Sequence, residues 1–541
     1  MSVGSPFVDL WEAIADAVPG RCAQITGAAR FTWRDLDRRA DGVADALVRN
    51  GLGRQDKVAQ YLHNGPEYLE SLLACYKAAL VPVNTNYRYG GAELSELWDD
   101  ADVAAVVLHG SFVPTVESIV REMTGVKLWL WVDDGTHACP EWALPYESVA
   151  RSDPGRFLPR WDRTPEDLYL LYTGGTTGRP KGVMWTQGDL FSLLQAGSGL
   201  VPTPGVPMNE LVSSIIDMPI RVHLAASPLM HGAGALRAFG ALDQAGTVVT
   251  LQGRRFDPIE LLDTIERERV TTLSIVGDAF ARPILDVLDA EPGRWDLSTL
   301  ESIASSGVMW SEETKRGLLR HHPGLVLLDG LSSSEAIGIG SSRSSSVDGV
   351  SRTGQFVATA RVRLLGQNGE WLPAGSTEAG LVALAGPNPL GYYKDPMKTA
   401  ETFRVIDGER FAIPGDWAVL NEDGSLRLLG RGSSCVNTGG EKVHVEEVEE
   451  ALKRLRRVRD AAVVGLPDPV LGEAVVAVLE VESAFEVDVE AIRADLRSEL
   501  APYKLPREVV AVQSLGRGPN GKLDYARIRA DAAALLRPTE E

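Results

Sequence analysis

Phe7, Leu10, Trp11, Ile14 and Val18 recur at helical spacing, and Leu36, Ala40, Val43 and Leu47 do so again before Gly51 ends the run. The chain is therefore predicted to open with two amphipathic helices. A short apolar run near Val58 comes next, then a helix carrying Leu69, Leu72, Leu73 and Tyr76, then strand-like runs at 80–83, 103–108 and 126–132. Strands that are apolar on both faces and alternate with helices predict a largely parallel α/β sheet. The alternation continues through 168–171, 246–251, 271–276 and 325–328. Each later strand runs into a polar or Gly-rich turn, GDAF after Val276 and DGLSSSEAIG after Leu328. Ligands of such sheets collect at the carboxyl ends of the strands, so these turns are expected to share one cleft.

The pattern changes after about Gly380. Residues 391–403 (GYYKDPMKTAETF) read as a polar, turn-rich connection, Asp416 follows a tight Pro-Gly turn, and 428–442 (LLGRGSSCVNTGGEK) reads as a linker or hinge. Beyond it the spacing predicts helices over 445–455 and 487–500, with strands near 461–464, 474–479 and Val509. That is a small α+β domain. It presents Lys522 at the tip of a Gly-Pro-Asn-Gly turn, where a lysine is ordinarily just solvated.

Candidate chemistry concentrates in 172–182 (YTGGTTGRPKG), directly after the apolar run 168–171. Gly174, Gly175, Gly178 and Gly182 free the backbone to turn successive N–H groups onto phosphate oxygens, Thr173, Thr176 and Thr177 add hydroxyls, and Lys181 adds a cation. The loop is not a Walker A loop, because Pro180 precedes the lysine and Gly182 follows it.

Composition narrows the partners. At 541 residues the chain exceeds a single core and divides into two or more domains. Its 54 basic and 74 acidic residues give −20, which repels nucleic-acid backbones and anionic lipid. Neither nucleic acid nor a membrane span is expected, since no stretch reaches spanning length. The four cysteines lie far apart without a CxxC pair, and 1–18 lack the basic start and apolar core of a signal peptide, so a reducing cytoplasm is expected.

Seven motifs in order, YTGGTTGRPKG, PLMHGAG (228–234), SSG (305–307), DGLSSSE (329–335), PGDW (414–417), GRGSSCVNTGGEK (430–442) and PNGKLDY (519–525), are similar to those of the adenylate-forming superfamily of acyl-CoA synthetases, luciferases and adenylation domains. The resemblance implies a large N-terminal domain (1–431) of mixed and parallel sheets sandwiched by helices, and a small mobile α+β domain (432–541). It implies that a carboxylate attacks the α-phosphate of ATP to give an acyl-adenylate and pyrophosphate, after which the thiol of CoA displaces AMP. By the same resemblance Thr173, Gly174, Gly175, Thr176, Thr177, Gly178, Lys181, Ser306, Gly307, Asp329, Gly330, Leu331, Ser332, Ser334, Asp416, Arg431 and Lys442 contact the nucleotide. Glu335 with Ser334 holds Mg²⁺; His231, Gly232, Ala233, Gly277 and Ser305 line the acyl pocket; Gly439 and Gly440 line the CoA channel. Lys522, His231 and Glu335 are the catalytic expectations. Leu331 stands where an aromatic commonly stacks near adenine, Ser332 where a glycine follows it, Ser433 at the hinge, and Gln187 where a histidine often follows the phosphate loop. Among subfamilies the chain looks nearest to fatty-acyl and steroid-side-chain acyl-CoA synthetases, so a bulky, largely apolar carboxylic acid is the expected substrate and a wide apolar pocket its site. A stand-alone adenylating enzyme that passes a terpenoid or aryl adenylate to another protein or carrier thiol is the alternative, and a homodimer is among the assemblies the resemblance leaves open.

Overall fold

The computed structural model describes residues 4–174, 180–198, 206–308, 310–431, 435–438, 441–456, 458–468, 471–481, 488–497, 500, 502–518 and 521–536. Among them are three sheets, of sixteen, eight and five strands.

The eight-stranded sheet grows from apolar segments. Val81–Asn84 and Val103–His109 are buried along their whole length, pair in parallel with Lys57–Tyr61 on either side, and so can only be interior strands. Leu168–Gly174 adds in parallel to Val81–Asn84 and then turns back through the antiparallel Pro180–Thr186. The residues of the expected phosphate loop between them, 175–179, lie outside the described residues.

The sixteen-stranded sheet has a parallel core, Cys22–Thr26, Thr247–Thr250, Val222–Ala225, Thr272–Ile275, Ser302–Ser306 and Val326–Leu331. Beyond Val326–Leu331 the pairing becomes antiparallel, through Gly340–Ser344, Gln355–Ala358, Ser425–Arg431 and Asp416–Leu420. The expectation of a largely parallel sheet is corrected in this half, which makes the sheet mixed: short connections join Val326–Leu331 to Gly340–Ser344, Gly340–Ser344 to Gln355–Ala358 and Asp416–Leu420 to Ser425–Arg431, too short for the crossover that parallel pairing needs.

Helices fill the space between the two large sheets. Pro6–Ala17 and Trp33–Arg49 are the two opening helices, the second closed by a capping box between Thr32 and Asp35. Phe7 stacks on Tyr76 at 5.5 Å and meets Phe191 and Phe239 edge-on at 5.1 and 5.9 Å, so the helix Gly232–Leu242 is anchored to the start of the chain.

Three local expectations are corrected. GDAF is not a turn but the first turn of the helix Gly277–Ala290, with Gly277 at φ +49°. Residues 391–403 are not a plain connection: Gly391–Tyr392 pairs antiparallel with Pro180–Thr186, and Pro396–Thr402 is a helix. Most of 428–442 is strand, with Asp416 opposite Arg431 and with Cys435–Thr438 paired to Glu441–His444; the hinge position Ser433 lies outside the described residues.

The five-stranded sheet belongs to the C-terminal unit. Its long hairpin Val458–Asp468 and Gly472–Val481 takes Glu508–Val512 in parallel, and Val445–Lys453, Val489–Leu496 and Tyr525–Leu535 cover it.

Candidate active site

The carboxyl ends of the parallel strands converge. Val222–Ala225 leads to His231, Thr272–Ile275 to Gly277, Ser302–Ser306 to Gly307, and Val326–Leu331 carries Asp329, Gly330 and Leu331. The Gly277 N–H donates to the buried Ser305 hydroxyl at 2.8 Å, tying two of the expected acyl-pocket residues together. A Cβ on Gly330 would stand 3.6 Å from the Ser305 carbonyl and 3.8 Å from Ser306 Cβ, so the SSG and DGL turns form one surface.

His231 caps the helix Gly232–Leu242, its carbonyl accepting from the Gly234 and Ala235 N–H groups at 3.0 Å each. Its Nε2 is buried without a hydrogen-bond partner. Burial first, then the positive charges of Lys522 and Arg88, push the imidazole down to about 4, so it is neutral at pH 7. Asn84 fixes what precedes it: the Asn84 carboxamide donates to the Met230 carbonyl at 2.7 Å and the Tyr172 carbonyl at 2.8 Å, and accepts from the Tyr172 N–H at 2.6 Å. One buried side chain thus sets the end of the phosphate-loop strand against the residue before His231.

Lys522 reaches this cleft from the C-terminal unit. Its loop is closed by Gly518 N–H to the Lys522 carbonyl and by Gly521 N–H to the Gly518 carbonyl, both 2.8 Å. Gly521, at φ +69°, lies so close to the large unit that a Cβ there would be 3.1 Å from Val308 Cγ2 and 3.2 Å from Val276 Cγ1 and Ala279 Cβ. The small unit is folded down over the cleft, with the lysine charge within electrostatic reach of His231.

Glu335 and Lys181 meet through residues that sequence reasoning passed over. The Tyr392 hydroxyl donates to Glu335 Oε1 at 2.8 Å, and the Lys181 ammonium pairs with Asp395 at 2.8 Å and stands 5.7 Å from the Tyr392 ring centroid. Trp185 donates to the Ser334 carbonyl at 2.9 Å, fixing the SSE turn against Pro180–Thr186. Among the described residues Glu335 Oε2 is not engaged, and the carboxylate is half-buried, so Glu335 fits a hard cation that takes one or two carboxylates and completes its shell from substrate and water.

Other expected residues are placed as follows. The Asp329 carboxylate is paired with the buried Lys315 ammonium at 3.0 Å, and burial pushes its pKa up against that charge. Leu331 packs on the main apolar core, and the Ser332 hydroxyl accepts from the Gly338 N–H at 3.0 Å. Asp416 is buried at the start of its strand. Thr173 pairs with Lys181 across the hairpin. Gly232 faces Leu171, 3.1 Å from where its Cβ would stand, and Ala233 keeps accessible surface. Gln187 is buried and accepts from the Ser5 hydroxyl at 2.5 Å, so it holds the N-terminal segment. Gly175, Thr176, Thr177, Gly178, Gly439 and Gly440 lie outside the described residues, as do the side chains of Arg431 and Lys442.

Comparison with known proteins agrees with this arrangement. The family described as AMP-binding enzyme matches residues 11–393, and the AMP-binding enzyme C-terminal domain matches 447–522. A Mycolicibacterium smegmatis protein named medium/long-chain-fatty-acid–CoA/3-oxocholest-4-en-26-oate–CoA ligase is 38% identical over 531 residues, covering 96% of this chain and 95% of that protein. A Rhodococcus rhodochrous 3-oxocholest-4-en-26-oate–CoA ligase is 36% identical over 99% of this chain and 97% of its own. Among solved structures, ATP-bound MatB from Rhodopseudomonas palustris superposes with a TM-score of 0.79 at 26% identity, over 98% of this chain and all of that one. The chain belongs to the AMP-binding enzyme family, as an AMP-forming acyl-CoA ligase.

Proposed function

We propose that this acyl-CoA synthetase activates a bulky, largely hydrocarbon carboxylic acid with ATP and Mg²⁺ and passes the acyl group to CoA, working in the cytoplasm. The relatives at 35–38% identity are named for medium- and long-chain fatty acids and for a steroid acid, which supports the size and class of the substrate. The observation that carries the reading is the seating of Gly521 on Val276, Ala279 and Val308, which delivers the Lys522 cation to the mouth of the cleft beside a neutral His231.

In this arrangement Lys522 offsets the charge of the attacking carboxylate and the phosphoryl oxygens and holds them in line. Neutral His231 shapes the carboxylate end of the pocket without adding a competing charge. Glu335 with Ser334 would hold Mg²⁺, which would supply charge neutralisation for the pyrophosphate leaving group. The phosphate loop around Thr173 and Lys181 receives the triphosphate, and Asp416 the ribose. In the second half-reaction the small domain, 432–541, turns about its junction with 1–431, removes Lys522 and brings Gly439 and Gly440 to the thiol.

ATP–pyrophosphate exchange with a panel of acids, followed by CoA consumption, tests the reading. Exchange with bulky acids and thioester formation are expected. Exchange confined to acetate or an amino acid would refute it.

A further inference from the structure

The cleft beside Gly232–Leu242 is not apolar throughout. On that helix Gly234, Ala235, Ala238, Phe239, Ala241 and Leu242 are buried. Ala233, Arg237 and Gly240, at i, i+4 and i+7, form the opposite stripe. Ala233 and Gly240 keep part of their surface, Arg237 is exposed, and a Cβ on Gly240 would meet nothing within 4 Å. The stripe faces open space.

That space lies inside the protein. The Arg237 Nη2 is 4.0 Å from where a Gly330 Cβ would stand, on the surface shared with the Ser305 carbonyl and Ser306. Surrounding protein desolvates the guanidinium and pushes its pKa down, and the Arg221 charge pushes it further. A side chain that is enclosed by protein and still accessible stands in an internal cleft, here the one walled by the acyl-pocket residues Ala233 and Ser305.

The guanidinium has no hydrogen-bond or ion-pair partner among the described residues. The cations of this unit that have lost nearly all their surface are paired with carboxylates: Arg39 with Glu70 and Glu147, Lys77 with Glu12, Asp37 and Asp41, Lys315 with Asp329. Its polar neighbours offer no anion either, since the buried His223, within reach of its charge, is held neutral, by burial first and then by Arg237 and Arg221. Arginine cannot shed its proton to escape the cost of burial. An uncompensated fork of N–H donors in a substrate cleft is a bidentate site waiting for a carboxylate.

We propose that the acid activated here carries a second carboxylate, away from the one that is adenylated, and that the Arg237 guanidinium binds it, making Arg237 a specificity-determining residue of the acyl cleft. The proposal rests on the reading of this cleft as the acyl pocket. It takes the substrate class to be a dicarboxylic acid with a hydrocarbon body.

The test compares α,ω-dicarboxylic acids of four to twelve carbons with monocarboxylic and ω-oxo acids of matched length, by pyrophosphate exchange without CoA and by calorimetric titration of the acids, which needs no turnover. The wild-type enzyme is expected to favour one or more dicarboxylates over their matched monocarboxylates at least tenfold in kcat/KM. Arg237→Leu is expected to abolish that preference while keeping monocarboxylate exchange and the KM for ATP, and Arg237→Lys to retain part of it. A melting temperature for Arg237→Leu equal to or above wild type is expected, since an unpaired, desolvated charge is removed. Equal use of both acid classes by the wild type, a preference for the ω-oxo acids, an equal loss for both classes in Arg237→Leu, or a change confined to the KM for ATP would each overturn the proposal. Absence of exchange with every acid would sink the acyl-activating reading, and calorimetry would still decide on Arg237: dicarboxylate binding lost in Arg237→Leu supports it, and no dicarboxylate binding by the wild type contradicts it.

Discussion

Tyr392 donates its hydroxyl to Glu335 Oε1 at 2.8 Å, and the same ring lies beside the Lys181 ammonium, so one aromatic side chain stands between the expected metal carboxylate and the phosphate-loop cation. Removing the hydroxyl should leave Glu335 less firmly oriented. Tyr392→Phe is expected to raise the Mg²⁺ concentration needed for half-maximal pyrophosphate exchange and to lower exchange about tenfold at low Mg²⁺, roughly one charge-assisted hydrogen bond. Glu335→Ala should lower it by about 10² or more. Wild-type Mg²⁺ dependence in both variants would contradict the assignment.

Asn84 makes three buried hydrogen bonds to the backbone of Tyr172 and Met230. Asn84→Ala strands those backbone groups, at roughly 1 kcal/mol each, so a loss of about 3 kcal/mol is expected in denaturant unfolding. Adenylation should fall even where the variant stays folded, because the strand entering the phosphate loop and the turn entering His231 lose their shared tie. Unchanged stability would show that the ties are dispensable.

Gly521 is tight in two ways, a left-handed φ of +69° and a surface already seated on Val276, Ala279 and Val308. Gly521→Ala adds about 1–2 kcal/mol of backbone strain plus a contact that forces the units apart. Acyl-adenylate formation is expected to fall about tenfold, with thioester formation from supplied acyl-adenylate retained. Parallel loss of both would mean that the docking seen at Gly521 is not special to the first step.

His109 and His223 are buried, and burial is the first cause holding both at about 3. Because these folded-state values lie below the unfolded value of about 6.5, the unfolded chain binds more protons once pH falls under that value. Stability should be full above about pH 6.5 and fall as pH drops toward 3, by up to about 1.4 kcal/mol per pH unit for each residue. Melting temperatures between pH 7.5 and 5 check this, with His109→Asn expected to flatten the slope. An unaltered slope would contradict it.

How much of this was legible in the sequence depended on range. Residues 103–108 read as an interior strand because every position is apolar, a purely local property, and the strand observed is Val103–His109. The chemistry-bearing turns were legible as motifs, yet Tyr392, Asp395 and Asn84 were not, since their work depends on pairings across 57 to 214 positions. Residues 428–431 looked like the start of a linker because Gly430 and its neighbours resemble turn chemistry. In the fold Gly430 sits in a strand at φ +111°, with Glu446 against it. Arg237 is the sharpest case: a charged residue in a helix reads as a solvated face, and only the fold brings its guanidinium to within 4.0 Å of where a Gly330 Cβ would stand.

The central claim is that Lys522, brought over the cleft by the seating of Gly521, serves the first half-reaction. The most direct measurement assays Lys522→Ala twice, once for acyl-adenylate formation from ATP and acid, and once for thioester formation from supplied acyl-adenylate and CoA. The first is predicted to fall by about 10² or more while the second is largely kept. Equal loss in both, or no loss in either, would contradict it.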